Sequence, residues 1–547
     1  MLQDELKKIL EGEVASDAKT LELFSRDASL FEVRPELVAF PKNVLDVKRL
    51  VRFVAEHKKA MPTLSLTGRS AGTDMSGGSI NDSIIVNFTK HMNQLKEVGK
   101  NYAVTEPGVF YRDFEKETLK KGLLLPSYPA SREICALGGM VSNNSGGEKT
   151  LSYGKTEDYV MELKVVLRDG EEYVFHALDR AELDAKMQQQ DFEGEIYRRV
   201  YELVNSNYDL IKGAKPKVSK NSAGYYLWDV WDREKGIFDL TKLFVGSQGT
   251  LGMLTEIKVR LVKPKKLSKL VAIFLYDLAP LAQLIQQILK HKPESFESYD
   301  DHTLKLAFRF WRDILKILKP KSILSLLWGF LPEARIVMLG GVPKLILLAE
   351  FTDSDQARLD ARVREVEGVI KKAGLRYRVT RDKEDAKKYW VMRRESFNLL
   401  RKHLSGMRTA PFIDDVIVRP QKLPEFLPAL NKILDKYKGL IYTVAGHAGD
   451  GNFHIIPLMD MKDMKMRALI PALSDEVYRL VSEFGGSYTA EHNDGLIRSP
   501  YLERMYGKEV FHLFEQAKHI FDPENIFNPP KKVGADLGYA LRHIQKG

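Results

Sequence analysis

Downstream of Pro41, Val47, Leu50, Val51 and Val54 recur at i, i+3, i+4 and i+7, which puts one apolar stripe on one face and predicts a helix. A Gly/Ser/Thr-rich loop, LTGRSAGTDMSGGS, comes next, and the β-branched run SIIVNF beyond it predicts a buried strand. Two more glycine-rich loops follow, ALGGMVSNNSGG near residues 136–147 and GSQGTLG after the apolar residues 243–245. Ile257, Val259 and Leu261 then alternate with Lys258 and Arg260, the period of a strand with one buried face. The first 265 residues therefore predict a sheet-containing domain with several ligand loops. KPKKLSK marks a charged boundary, and from about residue 268 to 500 strands and helices mix. FDPENIFNPPK reads as an ordered turn after a helix.

At 547 residues the chain is long enough for two or more cores sharing a cleft. An apolar fraction of 44% and a charged fraction of 29% are those of a globular protein and exclude a disordered or fibrous one. The formal charge of +10 fits a solvated basic surface, and equally an anionic substrate or an anionic membrane. A single cysteine, Cys135, excludes an internal disulfide framework, a cysteine zinc site and a four-thiolate cluster, so electrons leaving the protein need another carrier. MLQDELKKIL mixes acids and bases and lacks an apolar signal core, which makes cytoplasmic residence the expectation. No run reaches the roughly 18 apolar residues of a spanning helix.

Glycines let a backbone approach a pyrophosphate, and consecutive N–H groups form an anion nest. The first loop offers Gly68, Gly72, Gly77 and Gly78 with the hydroxyls of Thr67, Ser70, Thr73 and Ser76. Its spacing is neither GxGxxG nor a P-loop, which argues against an NAD enzyme or an ATPase. Taken together in order, TGRSAGTDMSGG, CALGGMVSNNSGG, YGKTEDYV and GSQGTLGMLTEIKVRL resemble the FAD domain of the vanillyl-alcohol oxidase superfamily. The resemblance implies an α+β chain: a PCMH-type FAD-binding domain of two α/β subdomains, and an α+β substrate (cap) domain with an antiparallel sheet. The implied boundaries are an N-terminal helical segment over 1–35, the FAD domain over 36–265, the cap over 266–500 and a C-terminal segment over 501–547 that returns to the FAD domain. It also implies FAD held by Thr67, Gly68, Arg69, Ser70, Gly72 and Thr73 of the first loop and by Gly138, Gly139, Asn143, Ser145 and Gly146 of the second, with Val160 and Ile257 lining the site. Covalent relatives carry His in the first loop, where this chain has Arg69 and Ser70, and Cys135 stands too close to Gly138 for a cysteinyl link; a non-covalent flavin follows.

IYTVAGHAGDGNFHIIPL holds His447 and His454 on apolar segments flanking AGDGN. A straight strand would separate them by about 23 Å at roughly 3.3 Å per residue. The turn chemistry of Gly449, Asp450 and Gly451 predicts instead a hairpin that brings both imidazoles together. TAEHNDGLIRSPYLERMYG adds Glu491 and His492, and two His with a carboxylate suit a catalytic divalent cation. These elements resemble the D-lactate, glycolate and D-2-hydroxyglutarate dehydrogenase branch. That resemblance implies zinc or manganese on His447, His454 and Glu491, His492 as the base that takes the substrate hydroxyl proton, and Arg393 of WVMRRESF as the fork for the substrate carboxylate. Ala490 and Asn493 depart from the branch's GEHG pattern, and Phe397 replaces a hydroxyl residue four positions after Arg393.

The expected reaction is oxidation of a D-2-hydroxy acid to its 2-oxo acid, with flavin N5 taking the α hydride. An O2-using oxidase of an alcohol or sugar lactone and a non-catalytic flavin-binding subunit are the alternatives. The expected electron acceptor is a quinone or a separate iron–sulfur or electron-transfer protein, and no nucleic acid is expected. In LKLAFRFWRDILKILKPKSILSLLWGFL, Leu304, Ala307, Phe308 and Trp311 recur at helical spacing among Lys and Arg residues. Two readings stand: an amphipathic helix packed on the cap, and an insertion near 300–345 lying on the cytoplasmic face of an anionic membrane.

Overall fold

The computed structural model describes residues 2–301, 303–305, 313, 341–403 and 406–546. The basic apolar stretch near 306–340, on which the membrane reading rests, lies outside the described residues, as do the side chains of 395–405, Phe397 among them.

Among the described residues three sheets carry the fold, which is α+β. The first joins β1 (Glu13–Ala15), β2 (Leu37–Phe40), β3 (Leu66–Arg69) and β4 (Ile84–Asn87) in the order β1-β2-β4-β3, with β2 and β3 both parallel to β4. The predicted amphipathic helix, α1 (Val44–His57), covers it: Asn43 caps the helix, and Val47, Leu50, Val51 and Val54 are buried against Leu66, Ile84 and Val86. β3 ends at Arg69, so the first glycine-rich loop springs from a strand buried in the core.

The second sheet combines β5 (Leu95–Val98), β6 (Tyr102–Thr105), β7 (Val160–Val166), β8 (Glu172–Leu178), β9 (Trp231–Asp232), β10 (Ile237–Asp239) and β11 (Met253–Arg260). β11 lies between β6 and β7, antiparallel to both, and buries Ile257 and Val259 as their alternation predicts. The second glycine-rich loop begins in a short helix, α2 (Leu137–Asn143).

The third sheet is antiparallel and holds β12 (Leu267–Leu275), β13 (Ser295–Asp300), β14 (Leu345–Asp353), β15 (Arg376–Val379), β16 (Arg408–Thr409), β17 (Val416–Ile417), β18 (Ile441–His447) and β19 (Asn452–Met459). Its helices bury a core of Leu281, Ile285, Leu359, Val363, Phe426 and Leu430 against one face, while α3 (Lys383–His403) packs beside β12 and presents Arg393. The C-terminal residues stitch the sheets together: Asn528 Nδ2 donates to the carbonyls of Gly78 and Gln248, and its Oδ1 accepts from Thr67. Among the described residues no helix is long and apolar enough to cross a membrane.

Candidate functional site

The glycine-rich loops and the histidines meet in one cavity of about 990 Å³, at the upper end of the roughly 300–1,000 Å³ usual for ligand pockets. Gly68, Arg69, Ser70, Gly72 and Thr73 line it from the first loop, and Gly138, Gly139, Asn143, Ser145 and Gly146 from the second. Thr67, Val160 and Ile257 do not: Thr67 is fully buried against Asn528, and the other two sit in the core of the second sheet. Strand alternation explains this, since a residue whose side chain enters the core cannot also face the cavity. The glycines are needed for close approach. A Cβ at Gly138 would lie 2.6 Å from the Pro107 Cβ and 2.8 Å from the Ser70 Oγ, and Gly72 has φ +67°. Gly139, by contrast, would meet only the Ser70 Cβ at 3.7 Å, so the loop's inner side is open for a ligand. The Arg69 guanidinium turns away to the carbonyls of Phe24, Arg26 and Ser79. Cys135 also reaches the cavity wall, with a thiol that burial pushes up to about 12.

The expected hairpin forms. β18 pairs with β19 so that His447 faces Asn452 and Ala445 faces His454. His447, Ala445 and His454 therefore share one face of the sheet, with the two imidazole centroids 5.3 Å apart. Glu491 and His492 arrive on a separate loop, and His492 stacks on His454 at 5.0 Å.

Every imidazole is held from behind by a buried carboxylate. Glu297 Oε1 meets His447 Nδ1 at 2.7 Å, Asp414 Oδ1 meets His454 Nδ1 at 3.1 Å, and Asp414 Oδ2 meets His492 Nδ1 at 2.6 Å. Engaging the Nδ1 atoms leaves the Nε2 atoms for other partners, the arrangement found behind metal-bound histidines. Glu491 sends Oε1 to Lys220 Nζ at 2.6 Å and Oε2 to within 3.5 Å of His447 Nε2. Ligand atoms of Asp415, His454, Glu491 and His492 all lie within 4.8 Å of one another. Asp415 is already occupied as a scaffold, because Oδ2 accepts from Thr489 Oγ1 and from the N–H groups of Glu491 and His492, and Oδ1 accepts from Asn452. Of the expected ligands, His454 and Glu491 belong to this cluster together with His492, while His447 stands outside it with its Nε2 3.5 Å from Glu491 Oε2.

The electrostatics follow from these contacts. Burial alone would lower the His492 pKa, but the charges of Asp414 and Asp415 outweigh it and raise it to about 9; Glu297 does the same for His447. Burial would raise the Glu491 carboxyl, yet Lys220 and His447 hold it well below the usual range. Lys220 is itself fully buried and also pairs with Asp450 at 3.0 Å.

Arg393 forms an ion pair with fully buried Glu297, so one carboxylate supports both the arginine and His447. The Arg393 Nε is buried without a hydrogen-bond partner, and the residue lines the cavity. Arg394 pairs with Glu148.

The two departures in the base loop are accommodated. Ala490 donates its N–H to the Asp415 carbonyl and accepts from Lys155 Nζ at 2.7 Å. Asn493 has φ +68°, a left-handed conformation that Asn tolerates better than most side chains. Its Nδ2 donates to the carbonyls of Asn143 and Gly246, and its Oδ1 accepts from Lys532. The asparagine thus bolts the base loop to two of the glycine-rich loops.

Sequence reading missed Asp414, Asp415, Glu297 and Lys220. FIDDVIV carried a signal for the first two, because acids inside a fully apolar run are rarely buried without a partner. Glu297 in SFESYD carried the same signal more weakly.

Residues 35–175 match the FAD binding domain family, and residues 265–532 match the family of FAD linked oxidases, C-terminal domain. The chain is 28% identical over 537 residues to D-2-hydroxyglutarate dehydrogenase of Pseudomonas putida, covering 97% of this chain and 51% of that protein. It thus spans about half the length of the first curated relatives it matches. It is 29% identical to glycolate oxidase subunit GlcD of Bacillus subtilis, covering 94% and 92% of the two chains. 4-Ethylphenol oxidase from Gulosibacter chungangensis shares the fold, with a TM-score of 0.67 at 16% identity over 98% of this chain and 97% of that one. The chain thus carries an FAD binding domain over residues 35–175 followed by an FAD linked oxidase C-terminal domain over 265–532, and its glycine-rich loops converge on one cavity.

Proposed function

We propose that the protein is an FAD-dependent dehydrogenase that oxidises a D-2-hydroxy acid of the lactate, glycolate or 2-hydroxyglutarate type to the 2-oxo acid. One observation carries the reading: the glycine-rich loops, Arg393, His454, Glu491 and His492 line the same cavity. FAD, held without a covalent link, supplies the acceptor for the α hydride, and a zinc or manganese ion on His447, His454 and Glu491 supplies a Lewis acid for the hydroxyl oxygen.

The chain's own groups do the rest. Arg393, which lines the cavity, binds the substrate carboxylate, and its ion pair with Glu297 fixes the guanidinium plane. His492 Nε2 receives the hydroxyl proton, and Asp414 stabilises the imidazolium that results. A dication held by the neighbouring ligands would oppose that charge. With a single buried cysteine, electrons leave to a quinone or to a separate electron-transfer protein.

The test is anaerobic mixing of the purified flavoprotein with a panel of D-2-hydroxy acids. Bleaching of the flavin band by at least one, and its loss in His492→Asn with FAD retained, is the expected result. A protein that keeps FAD and is bleached by none has another function.

A further inference from the structure

We infer that Thr443 and Ile456 form a subsite for the substrate chain beyond C2, and that it selects monocarboxylic 2-hydroxy acids with an apolar chain over dicarboxylic ones. The inference rests on the D-2-hydroxy acid reading and narrows it. In the β18–β19 hairpin Thr443 faces Ile456, one side-chain pair along from Ala445 and His454. Alternation puts Thr443, Ala445 and His447 of one strand on the same face as His454 and Ile456 of the other, and all five line the cavity. Ile456 therefore follows His454 by two residues, about 7 Å along the strand. A substrate whose hydroxyl sits at the histidines and whose carboxylate sits at Arg393 has its remaining carbons to lay along this wall.

The wall offers such a chain a methyl and ethyl surface and one hydroxyl. A second carboxylate placed there would be desolvated against Ile456. Among the described residues, the other arginines of the cavity wall are already engaged. Arg69 is bound to main-chain carbonyls, Arg394 to Glu148, Arg26 to Glu32, and Arg132 lies within 3.8 Å of Glu115. Arg393 lines the cavity as well but shares its charge with Glu297, and it is already assigned to the first carboxylate.

The experiment compares second-order rate constants for anaerobic flavin reduction of the FAD- and metal-loaded protein by D-lactate, D-2-hydroxybutyrate, D-2-hydroxyisocaproate and D-2-hydroxyglutarate. Each methylene that reaches the wall should raise the constant about fourfold, the transfer value of a buried CH2, with D-2-hydroxyglutarate at least tenfold below the best monocarboxylate. Ile456→Arg should reverse the preference, and Ile456→Gln, a milder change, should halve the gap or better; FAD content and a melting curve confirm that each variant folds. D-2-hydroxyglutarate as the best wild-type substrate, or folded variants with an unchanged ratio, would overturn the inference while leaving the dehydrogenase reading intact. Silence toward every hydroxy acid would instead remove that reading, and the inference with it.

Discussion

His454 and His492 stack at 5.0 Å with their planes 23° apart, and Asp414 holds the Nδ1 of both, one carboxylate oxygen to each ring. A proposed metal ligand and the proposed base are thus oriented by one side chain that is itself fully buried. Asp414→Asn can supply an acceptor to one ring only. The rate of flavin reduction is expected to fall by about 100-fold or more, in the range for loss of a positioned base, and metal content to fall with it, while FAD stays bound. Stopped-flow reduction and metal analysis on the same sample check this. A variant that loses neither would show that the bridge does not orient the pair.

Lys220 sits between Asp450 and Glu491, fully buried, and restricts Glu491 to a single free oxygen. Lys220→Met leaves two buried carboxylates without their cation. A loss of metal affinity of about 10- to 100-fold is expected, as for other outer-shell partners of metal ligands. Titration of the metal-stripped protein reads it, and an unchanged affinity would remove Lys220 from the support of Glu491.

Much of this site was legible in the chain, and the unread part has a physical pattern. The GDG turn announced the hairpin that joins His447 to His454, and helical periodicity announced α1. What stayed hidden are partners brought in from far along the chain: Lys220 meets Glu491 and Glu297 meets His447 across separations of 271 and 150 residues. Local period and turn chemistry carry no record of such pairs. Val160 and Ile257 place their side chains in the core of the second sheet, since strand alternation fixes that one face is buried but not which core receives it.

Glu350 gives a pH dependence away from the catalytic groups. Burial, then the charges of Glu294 and Glu148, raise its carboxyl from 4.5 to about 7. The folded protein therefore holds this proton more tightly than the unfolded chain. The destabilisation is absent below about pH 4.5, grows as the pH rises, and is complete above about 7. At roughly 1.4 kcal/mol per pKa unit it is on the order of 3–4 kcal/mol. Glu350→Gln should melt higher than wild type at pH 8 and close to it at pH 5. A constant difference across that range would mean that Glu350 does not titrate there.

Asn493 permits a separation of backbone strain from side-chain anchoring. Its φ of +68° is costly for any side chain that cannot bond locally, by about 1–2 kcal/mol, whereas glycine adopts it freely. Asn493→Ala and Asn493→Gly lose the same hydrogen bonds to Asn143, Gly246 and Lys532. The alanine variant should therefore melt below the glycine variant, and equal melting temperatures would show that the conformation relaxes. Both should loosen the loop that carries His492, because Asn493 ties that loop to the ends of the second and third glycine-rich loops. In the glycine variant, free of strain, the rate of flavin reduction at saturating substrate is expected to fall about tenfold, roughly 1.4 kcal/mol of lost positioning, with metal content unchanged. FAD affinity should weaken in parallel, since Asn143 loses one of its two hydrogen bonds to the base loop and keeps only the one to the His492 carbonyl. A glycine variant with wild-type reduction and wild-type FAD affinity would mean that the loop's other contacts, to Asp415, Lys155, Asn143 and Arg498, suffice to hold it.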